Sequence, residues 1–385
     1  MNNSINDVII KYNTMHNNQF NNSLSVTSDF LDIYAKALGV AIKRDRKFKL
    51  TNFYYNRQRI GGLKGLRVST TSKGSFDLCR DKFKLEKYLE QQEFKSLNSK
   101  LFKADEYEEA KNYIEDNSGY SYVLKPLSLA GGKGIELDVR SENFEEAWND
   151  SILAQKKNKV KNPSCIVQRF INGFDIRVSV IEGRFSAATL RLPSHIVGNG
   201  NDTIEDLINE KNRLRSLIKY FNNKLIPIDN KLIKRLQSED KSLDSIPSKD
   251  EVLLLTDISN LTLGGESIDI TDTISEEIIT MAINAIASIP GLHSGGVDMM
   301  TEDYKGEEAF IIEINTNANH TMHHIPLKGE PREPFKDLLE SLLVKHKVEN
   351  KIQLNDTEKG ILSEILNFYN KKDYYANKLI SSYSI

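Results

Sequence analysis

Two cysteines in 385 residues, Cys79 and Cys165, leave no basis for a disulfide framework, and neither shows CxxC or other metal-binding spacing. That usage suits a reducing compartment in which thiols serve as small core residues. No sign of charge predominates either, with 52 basic against 54 acidic residues, and the Lys-rich patches are interleaved with Asp and Glu. A nucleic-acid groove and an anionic membrane partner are therefore not expected. The opening Met-Asn-Asn-Ser-Ile-Asn-Asp has no basic region followed by an apolar run, so no signal peptide is expected. No apolar stretch approaches the roughly 20 residues of a membrane span. No internal repeat stands out. These absences point to a soluble cytoplasmic protein, and the length allows a large core divided into two or three lobes.

What is present centres on Ala309 to Asn315, Ala-Phe-Ile-Ile-Glu-Ile-Asn. It is apolar enough for a buried strand, yet Glu313 and Asn315 share one face because strand side chains alternate. A buried carboxylate needs compensation, commonly a cation. Upstream, Gly295 to Met300 reads as a second strand presenting Asp298, and the turn Asp303-Tyr304-Lys305-Gly306 can pair the two antiparallel. Two carboxylates and an amide oxygen would converge, a hard-oxygen set suited to Mg²⁺. The bland alternative is a hairpin whose polar residues face water.

Taken in order, Val8 to Ile10 reads as a short strand, Asp29 to Gly39 as a helix ended by its glycine, and Phe53 to Tyr55 and Leu66 to Val68 as strand fragments of a small α/β lobe. Helices are expected over Asp81 to Leu89, Asp105 to Ile114 and Asn143 to Lys157, the last carrying the only tryptophan, Trp148, as core. Strands are expected at Tyr120 to Pro126, Ile135 to Val139 and Ser164 to Phe170. Asp175 to Ile181 and Phe185 to Leu192 form a hairpin around Glu182-Gly183-Arg184, with Asp175, Arg177 and Ser179 on one face. Thr203 to Asp206 fits a capping box. Lys211 to Asp250 reads as an exposed insertion, Glu251 to Thr256 as a strand, and Ser275 to Ser288 as a helix. Phe335 to His346 and Thr357 to Lys371 close as helices, the last with Ile361, Leu362, Ile365, Leu366 and Tyr369 as a docking or oligomerisation face.

Between the strands at 120–126 and 135–139 lies Ala130-Gly131-Gly132-Lys133-Gly134. A Walker loop runs from strand to helix and ends Lys-Ser/Thr; here Lys133 precedes Gly134 and a strand follows, so this is no P-loop. Bare backbone amides of a glycine hairpin can still close over phosphates. A plain turn is the alternative.

The ordered set of motifs resembles the ATP-grasp superfamily of carboxylate–amine ligases. It comprises Asp81-Lys82, Val123-Leu-Lys125-Pro126, the 131–134 loop, Gln168 to Val178, Arg191 to Gly200, Asn260 to Asp269, Gly296-Val-Asp298 and Glu313-Ile-Asn315. A tail from Met322-His323 to Arg332 strengthens the likeness to the ATP-grasp modules of cyanophycin synthetase and bifunctional glutathione synthetase. The resemblance runs from about residue 81 to 345.

The resemblance implies an α/β (α+β) ATP-grasp fold, two α+β lobes gripping ATP, with an N-terminal domain over 1–80, the ATP-grasp domain over 81–348 (lid about 115–180) and a helical extension over 349–385. It places ATP on Lys82, Lys125, Gly131, Gly132, Lys133, the Gln168, Arg169, Phe170, Ile171 backbone at adenine, and Asp175 at the ribose. Mg²⁺, with Mn²⁺ as an alternative, would lie on Asp298, Glu313 and Asn315. Arg177, Arg191, Gly264 and Gly265 are the catalytic candidates, and Asn260, Asn317, His323 and Arg332 the substrate contacts. The implied reaction is amide formation between amino acids or small peptides through an acyl phosphate, and a homodimer is compatible with the family. Two departures stand out: Gly296 occupies a position where many relatives carry arginine, with Arg191 as the expected compensation, and the stretch from Asn315 to His320 contains no proline. Rival readings are zinc on His293, His320, His323 and His324, phosphoryl transfer to a hydroxyl, and a non-catalytic ATP-binding subunit.

Overall fold

The structure, a computed structural model, describes residues 5–15, 17–18, 24–129 and 132–382. The chain opens with α1 (Ile5–Asn13), where a strand was expected. Ile5, Val8, Ile9 and Tyr12 recur at helical spacing, and the last three are buried, so a 3.6-residue period overrides the β-branched run. Next come α2 (Thr27–Ala37) and a four-stranded antiparallel meander of β1 (Ala41–Asp45), β2 (Leu50–Tyr55), β3 (Gln58–Lys64) and β4 (Arg67–Val68). Asn56 and Arg57 take positive φ between β2 and β3, as a two-residue turn matched to strand twist requires. Then follow α3 (Lys73–Arg80) and α4 (Lys82–Gln91), with Asp81 accepting from the Lys84 amide at the start of α4.

A second sheet holds β5 (Lys100–Lys103), β6 (Tyr122–Pro126), β7 (Glu136–Val139) and β8 (Ser164–Arg169), in the order β5-β8-β6-β7. Between them run α5 (Tyr107–Asp116) and α6 (Phe144–Lys157). Trp148 packs with Tyr107 and Phe144 in this lobe's own core.

The central sheet has the order β13-β10-β9-β14-β15: β13 (Glu266–Asp269), β10 (Arg184–Leu192), β9 (Phe174–Ile181), β14 (Gly295–Thr301) and β15 (Phe310–Asn315). Its apolar face, with Ile176, Val178, Val180, Leu190, Val297 and Ile314, is buried against α9 (Glu276–Ser288). The opposite face carries the polar residues described below. Strand alternation therefore sorts core from site.

Between β10 and β13 the chain leaves the sheet through β11 (His195–Val197), α7 (Ile204–Ser216), α8 (Asn230–Ser238) and β12 (Val252–Leu254). The stretch expected as an exposed insertion is thus folded: Ile196, Ile204, Ile208, Ile226, Leu232, Leu236, Leu253 and Leu255 make a separate small core. Its charges mask apolar residues at i, i+4 spacing. The chain ends with α10 (Thr321–His324), α11 (Pro334–Glu349) and α12 (Asp356–Ser382). On α12, Ile361 and Ile365 pack with Val344 of α11, so this part of the expected docking face is covered within the chain. Leu366 and Tyr369 stay exposed, at 52% and 39%. Among the described residues no helix is long and apolar enough to cross a membrane.

One buried carboxylate ties these parts together. Glu182, at the β9–β10 turn, accepts from Thr70 Oγ1 at 2.6 Å, Ser294 Oγ at 2.8 Å and Lys345 Nζ at 2.6 Å. Burial alone would raise its pKa, but Lys345 and the hydrogen bonds hold the carboxyl below its usual range. Removing it strands the Lys345 ammonium. Glu182→Ala should cost about 3 kcal/mol in urea unfolding near neutral pH, and Glu182→Gln should recover part of that loss through its hydrogen bonds. Because the folded pKa is depressed, the carboxylate's stabilisation is fully present above its unfolded value and is lost as pH falls through the folded one.

Candidate active site

The site grows out of cross-strand register on the polar face of the central sheet. Asp298 on β14 stands opposite Glu313 on β15 and Arg177 on β9, and Gly296 stands opposite Asn315 and Ser179. Arg177 stands opposite Thr189, and Asp175 opposite Arg191, on β9 and β10. Side chains paired directly across strands lie close enough to interact. Arg177 holds Asp298 bidentately, Nε to Oδ1 at 2.6 Å and Nη2 to Oδ2 at 2.7 Å. Arg191 Nη1 reaches the same carboxylate at 3.3 Å while its Nη2 lies 2.5 Å from Asp175 Oδ1.

This density of charge polarises the titrations. Burial opposes ionisation of Asp298, yet Arg177 and Arg191 hold its carboxyl well below the usual range. Asp175 goes the other way: burial outweighs Arg191, and the neighbouring Asp298 adds to the rise, to about 6. Asp175 is therefore paired with Arg191 within the acidic centre. Gly296 also finds its reason. A Cβ there would come within 2.9 Å of Ala318 Cβ and 3.2 Å of Arg177 Cδ. Arg177 lies across the bare glycine, so a guanidinium from the neighbouring strand occupies that space.

Asn315 Nδ2 donates to Asp298 Oδ2 at 3.1 Å and to Glu313 Oε1 at 2.7 Å, so the three residues expected to converge do meet. Lys82, in the first turn of α4, approaches Glu313 at 3.3 Å. Lys125 comes from β6 in the other sheet. It is 4% exposed, and its Nζ donates to the neutral amide oxygen of Gln168 at 2.6 Å. Burial first, then Lys82, lowers its pKa to about 8. Gln168 in turn donates to Glu86 Oε2 at 2.7 Å and Ser99 Oγ at 2.9 Å. Glu86 and Ser99 escaped the sequence reading, although Glu86 lies one turn after Lys82 on the same helix face.

The glycine loop joins β6 and β7 as a hairpin. Gly131 lies outside the described residues. Gly132 and Gly134 have φ of 79° and 68°, and a Cβ on Gly134 would meet Ala154 Cβ at 2.9 Å, so this turn is pressed onto α6. Lys133 lies between them. At the end of β8, the Arg169 amide donates to Leu97 O and the Phe170 amide to Ser121 O. Those two donors are engaged within the protein.

The remaining expected residues divide. Gly264 has φ 85°, and a Cβ there would strike Ile226 Cγ1 at 2.3 Å. The Gly265 amide donates to Asn260 O at 3.0 Å, so it is engaged in the turn and is no ready oxyanion donor. Asn260 Oδ1 accepts from the Thr262 amide and hydroxyl, fixing that turn. Arg215, unnoticed in the sequence, is buried and ties the loop to the insertion by donating to Gly265 O at 3.1 Å and Lys224 O at 2.8 Å. Asn317 is exposed beyond β15. His323 is buried, its Nδ1 2.8 Å from Thr189 Oγ1 and its Nε2 without a partner. Arg332 is paired with Asp269 and Asp272 at 2.7 and 2.5 Å.

The zinc reading finds no support. His320 bonds Ser179, His323 bonds Thr189, and His324 stacks on Phe30 at 4.2 Å. Among the described residues no group of three or more His, Cys, Asp or Glu side chains could hold a metal. Burial lowers the pKa of all three histidines and keeps them neutral.

The family profile of the ATP-grasp domain matches residues 79–319. The chain belongs to the ATP-grasp family. Cyanophycin synthetase of Geminocystis herdmanii is 35% identical over 248 residues, 63% of this ATP-grasp chain and 28% of that protein. The bifunctional glutathione-biosynthesis protein of Enterococcus faecalis is 28% identical over 249 residues, 61% of this chain and 32% of its own. The chain thus spans less than a third of the length of these curated relatives. The crystal structure of a bifunctional glutathione synthetase from Pasteurella multocida superposes with a TM-score of 0.59 at 23% identity, over 82% of this chain and 43% of that one, a likeness of fold.

ATP-grasp members imply a divalent cation, and the donor set fits one. Two carboxylates flank an amide whose NH₂ sits between them, the place a cation would neutralise. Rotation of that amide about its terminal torsion presents Oδ1 to the same point. Two carboxylates plus one amide is the sparse, hard-oxygen set that magnesium accepts.

Lys125 generates a test. Half-deprotonated near pH 8 without ligand, it should return toward its ordinary value beside polyphosphate, so nucleotide binding takes up a proton. Titration calorimetry with ATP at pH 8.5 in buffers of different ionisation enthalpy should report net proton uptake. Lys125→Gln should abolish it, and wild-type affinity should fall as pH rises through 8.

Proposed function

We propose that this ATP-grasp chain is an ATP-dependent carboxylate–amine ligase that joins amino acids or small peptides and releases ADP and phosphate. The supporting observation is the convergence of Arg177 and Arg191 with Asp298, Glu313 and Asn315 on one sheet face. Cations for a transferring phosphoryl group stand beside the site of its counter-ion.

In this reading Lys82 and Lys125 neutralise the ATP phosphates, Lys125 being aimed by the Gln168 amide. The 131–134 loop with Lys133 closes over them, and the chain from Gln168 to Ile171 lies against the base. Asp298, Glu313 and Asn315 hold the divalent ion, which when bound screens phosphate charge and acts as a Lewis acid. A substrate carboxylate attacks the γ-phosphorus, ADP leaves, and an amine displaces phosphate from the acyl phosphate through a tetrahedral intermediate. Arg177 and Arg191 face the anionic charge of both steps, already oriented by Asp298 and Asp175. Covalent activation occurs on the substrate, so no nucleophilic serine or cysteine is required.

The same reading assigns residues 1–80 to an N-terminal domain, 81–348 to the ATP-grasp domain with a lid at about 115–180, and 349–385 to an extension. The four-stranded sheet with a core of its own supports the lid. Two buried free thiols suit a cytoplasmic setting.

The test is ADP formation across pairs of amino acids and small peptides, with mass spectrometry of products. A product lighter by one water than its two reactants is expected; one heavier by a phosphoryl group on a hydroxyl would replace the ligase with a kinase. Glu313→Ala, or chelation of divalent ions, should reduce turnover by on the order of 10²-fold or more. A Glu313→Ala protein that turned over normally would remove the metal site.

A further inference from the structure

The four-stranded meander and the helix after it are charged with one sign. Residues 41–80 hold eleven lysines and arginines against two aspartates, in a chain whose net charge is −2. The interleaving of basic and acidic residues expected from the sequence fails here. Strand register sorts much of this charge onto one side. Phe53, Leu63 and Val68 turn inward, in one core with residues of α2 and α11. On the outward side Lys43 stands opposite Asn52, and Lys64 stands opposite Leu50 and Arg67. Arg59 joins them, its Nε donating to Asn52 Oδ1 at 2.9 Å. Asp45 is the one carboxylate on these four strands, and it accepts from the Phe48 amide at 3.2 Å.

Neutralisation within the chain is nearly absent. Among the described residues, Arg44 alone of the eleven makes an ion pair, with Asp32 of α2 at 2.8 Å. Cations on an edge strand guard it against pairing, which accounts for those of β1. That reason does not extend to β3, which lies inside the sheet between β2 and β4 and carries Arg59 and Lys64. Like charges side by side on a sheet destabilise it, and an anion laid across them relieves the repulsion.

The aromatic residues decide which kind of anion fits. Lys43 Nζ lies 5.1 Å from the centre of the Tyr54 ring, and Lys47 Nζ 5.4 Å from that of Phe48. The Arg67 and Arg80 guanidiniums lie 4.1 and 5.5 Å from the Phe76 ring. Single-stranded nucleic acid is held by stacking bases on open rings. Here the rings are already covered by the protein's own cations. What remains is a field of positive charge without a stacking platform, suited to carboxylates.

We propose that the outward face of this meander docks an extended acidic polypeptide segment, its Asp or Glu carboxylates set against Lys43, Arg59, Lys64 and Arg67. An extended chain presents same-face side chains about every 6.5–7 Å, the repeat of alternate residues on the strands beneath it. Charge supplies the complementarity, so binding is salt-sensitive and tolerant of sequence. Docking there is independent of whether the chain is a ligase.

Fluorescence anisotropy with the full chain at about 50 mM salt tests it, with labelled octaglutamate as probe and octaglutamine and an octameric oligouridylate as comparisons. Octaglutamate should bind about tenfold or more tightly than either, and should weaken as salt rises. Lys43→Gln/Arg59→Gln/Lys64→Gln should lower its affinity about tenfold or more. Lys231→Gln/Lys234→Gln/Lys249→Gln, which removes the same charge from α8 and the loop before β12, should leave it within about twofold. All six side chains are exposed, and an unchanged thermal midpoint shows each fold intact. If the first variant melts early, Lys43→Gln and Lys64→Gln singly replace it, each weakening binding about twofold or more. Equal binding of octaglutamate and octaglutamine, equal losses in the two triple variants, or oligouridylate binding as tightly as octaglutamate overturns the proposal. So does self-association of the chain that the first variant abolishes, since a second copy then covers the face.

Discussion

Asp298 is the residue on which the site depends. Its carboxylate is taken out of water, clasped bidentately by Arg177 and touched by Arg191 from a third strand. Such an arrangement is tolerable only because the guanidiniums are fixed by the sheet ladder, so that Coulomb attraction and hydrogen bonding together offset desolvation. The consequence reaches outward. Arg191 is held in turn by Asp175, Gly296 must lack a side chain for Arg177 to cross it, and Asn315 fills the gap between Asp298 and Glu313. A one-residue slip of β14 would turn Asp298 toward the apolar core and leave both guanidiniums without it.

The sequence disclosed this centre well because its logic is local. Glu313 and Asn315 two apart on an apolar strand, and Asp175 and Arg177 two apart on another, advertise shared faces before any tertiary information exists. Partner choice was harder to read. Whether Arg191 meets a phosphate, Asp175 or Asp298 depends on the order β13-β10-β9-β14-β15, which separates neighbours in space from neighbours in sequence. The partners of Asp175 and Arg332 were hidden for that reason: the motif position was visible, the guanidinium or carboxylate beside it was not.

Elsewhere the failures have different causes. The apolar run at Val8–Ile10 is too short to distinguish strand from helix, and only Ile5 and Tyr12 around it settle the period. The insertion after Lys211 hid its core because Lys, Asn and Asp outnumber the few leucines and isoleucines that pack together. Buried polar supports such as Glu86, Ser99 and Arg215 leave almost no trace in one sequence. Their importance comes from who they touch, and a solvated residue of the same type looks identical on paper.

The relay from Glu86 through Gln168 to Lys125 joins a helix beside the central sheet to two strands of the smaller one. Lys125 is therefore indexed to both lobes at once, as a pointer fixed across a joint. Any change in the angle between the sheets must either carry this ammonium along or break one of the amide's hydrogen bonds. The position of this charge and the attitude of the lobes are thus a single mechanical variable, set by one glutamine.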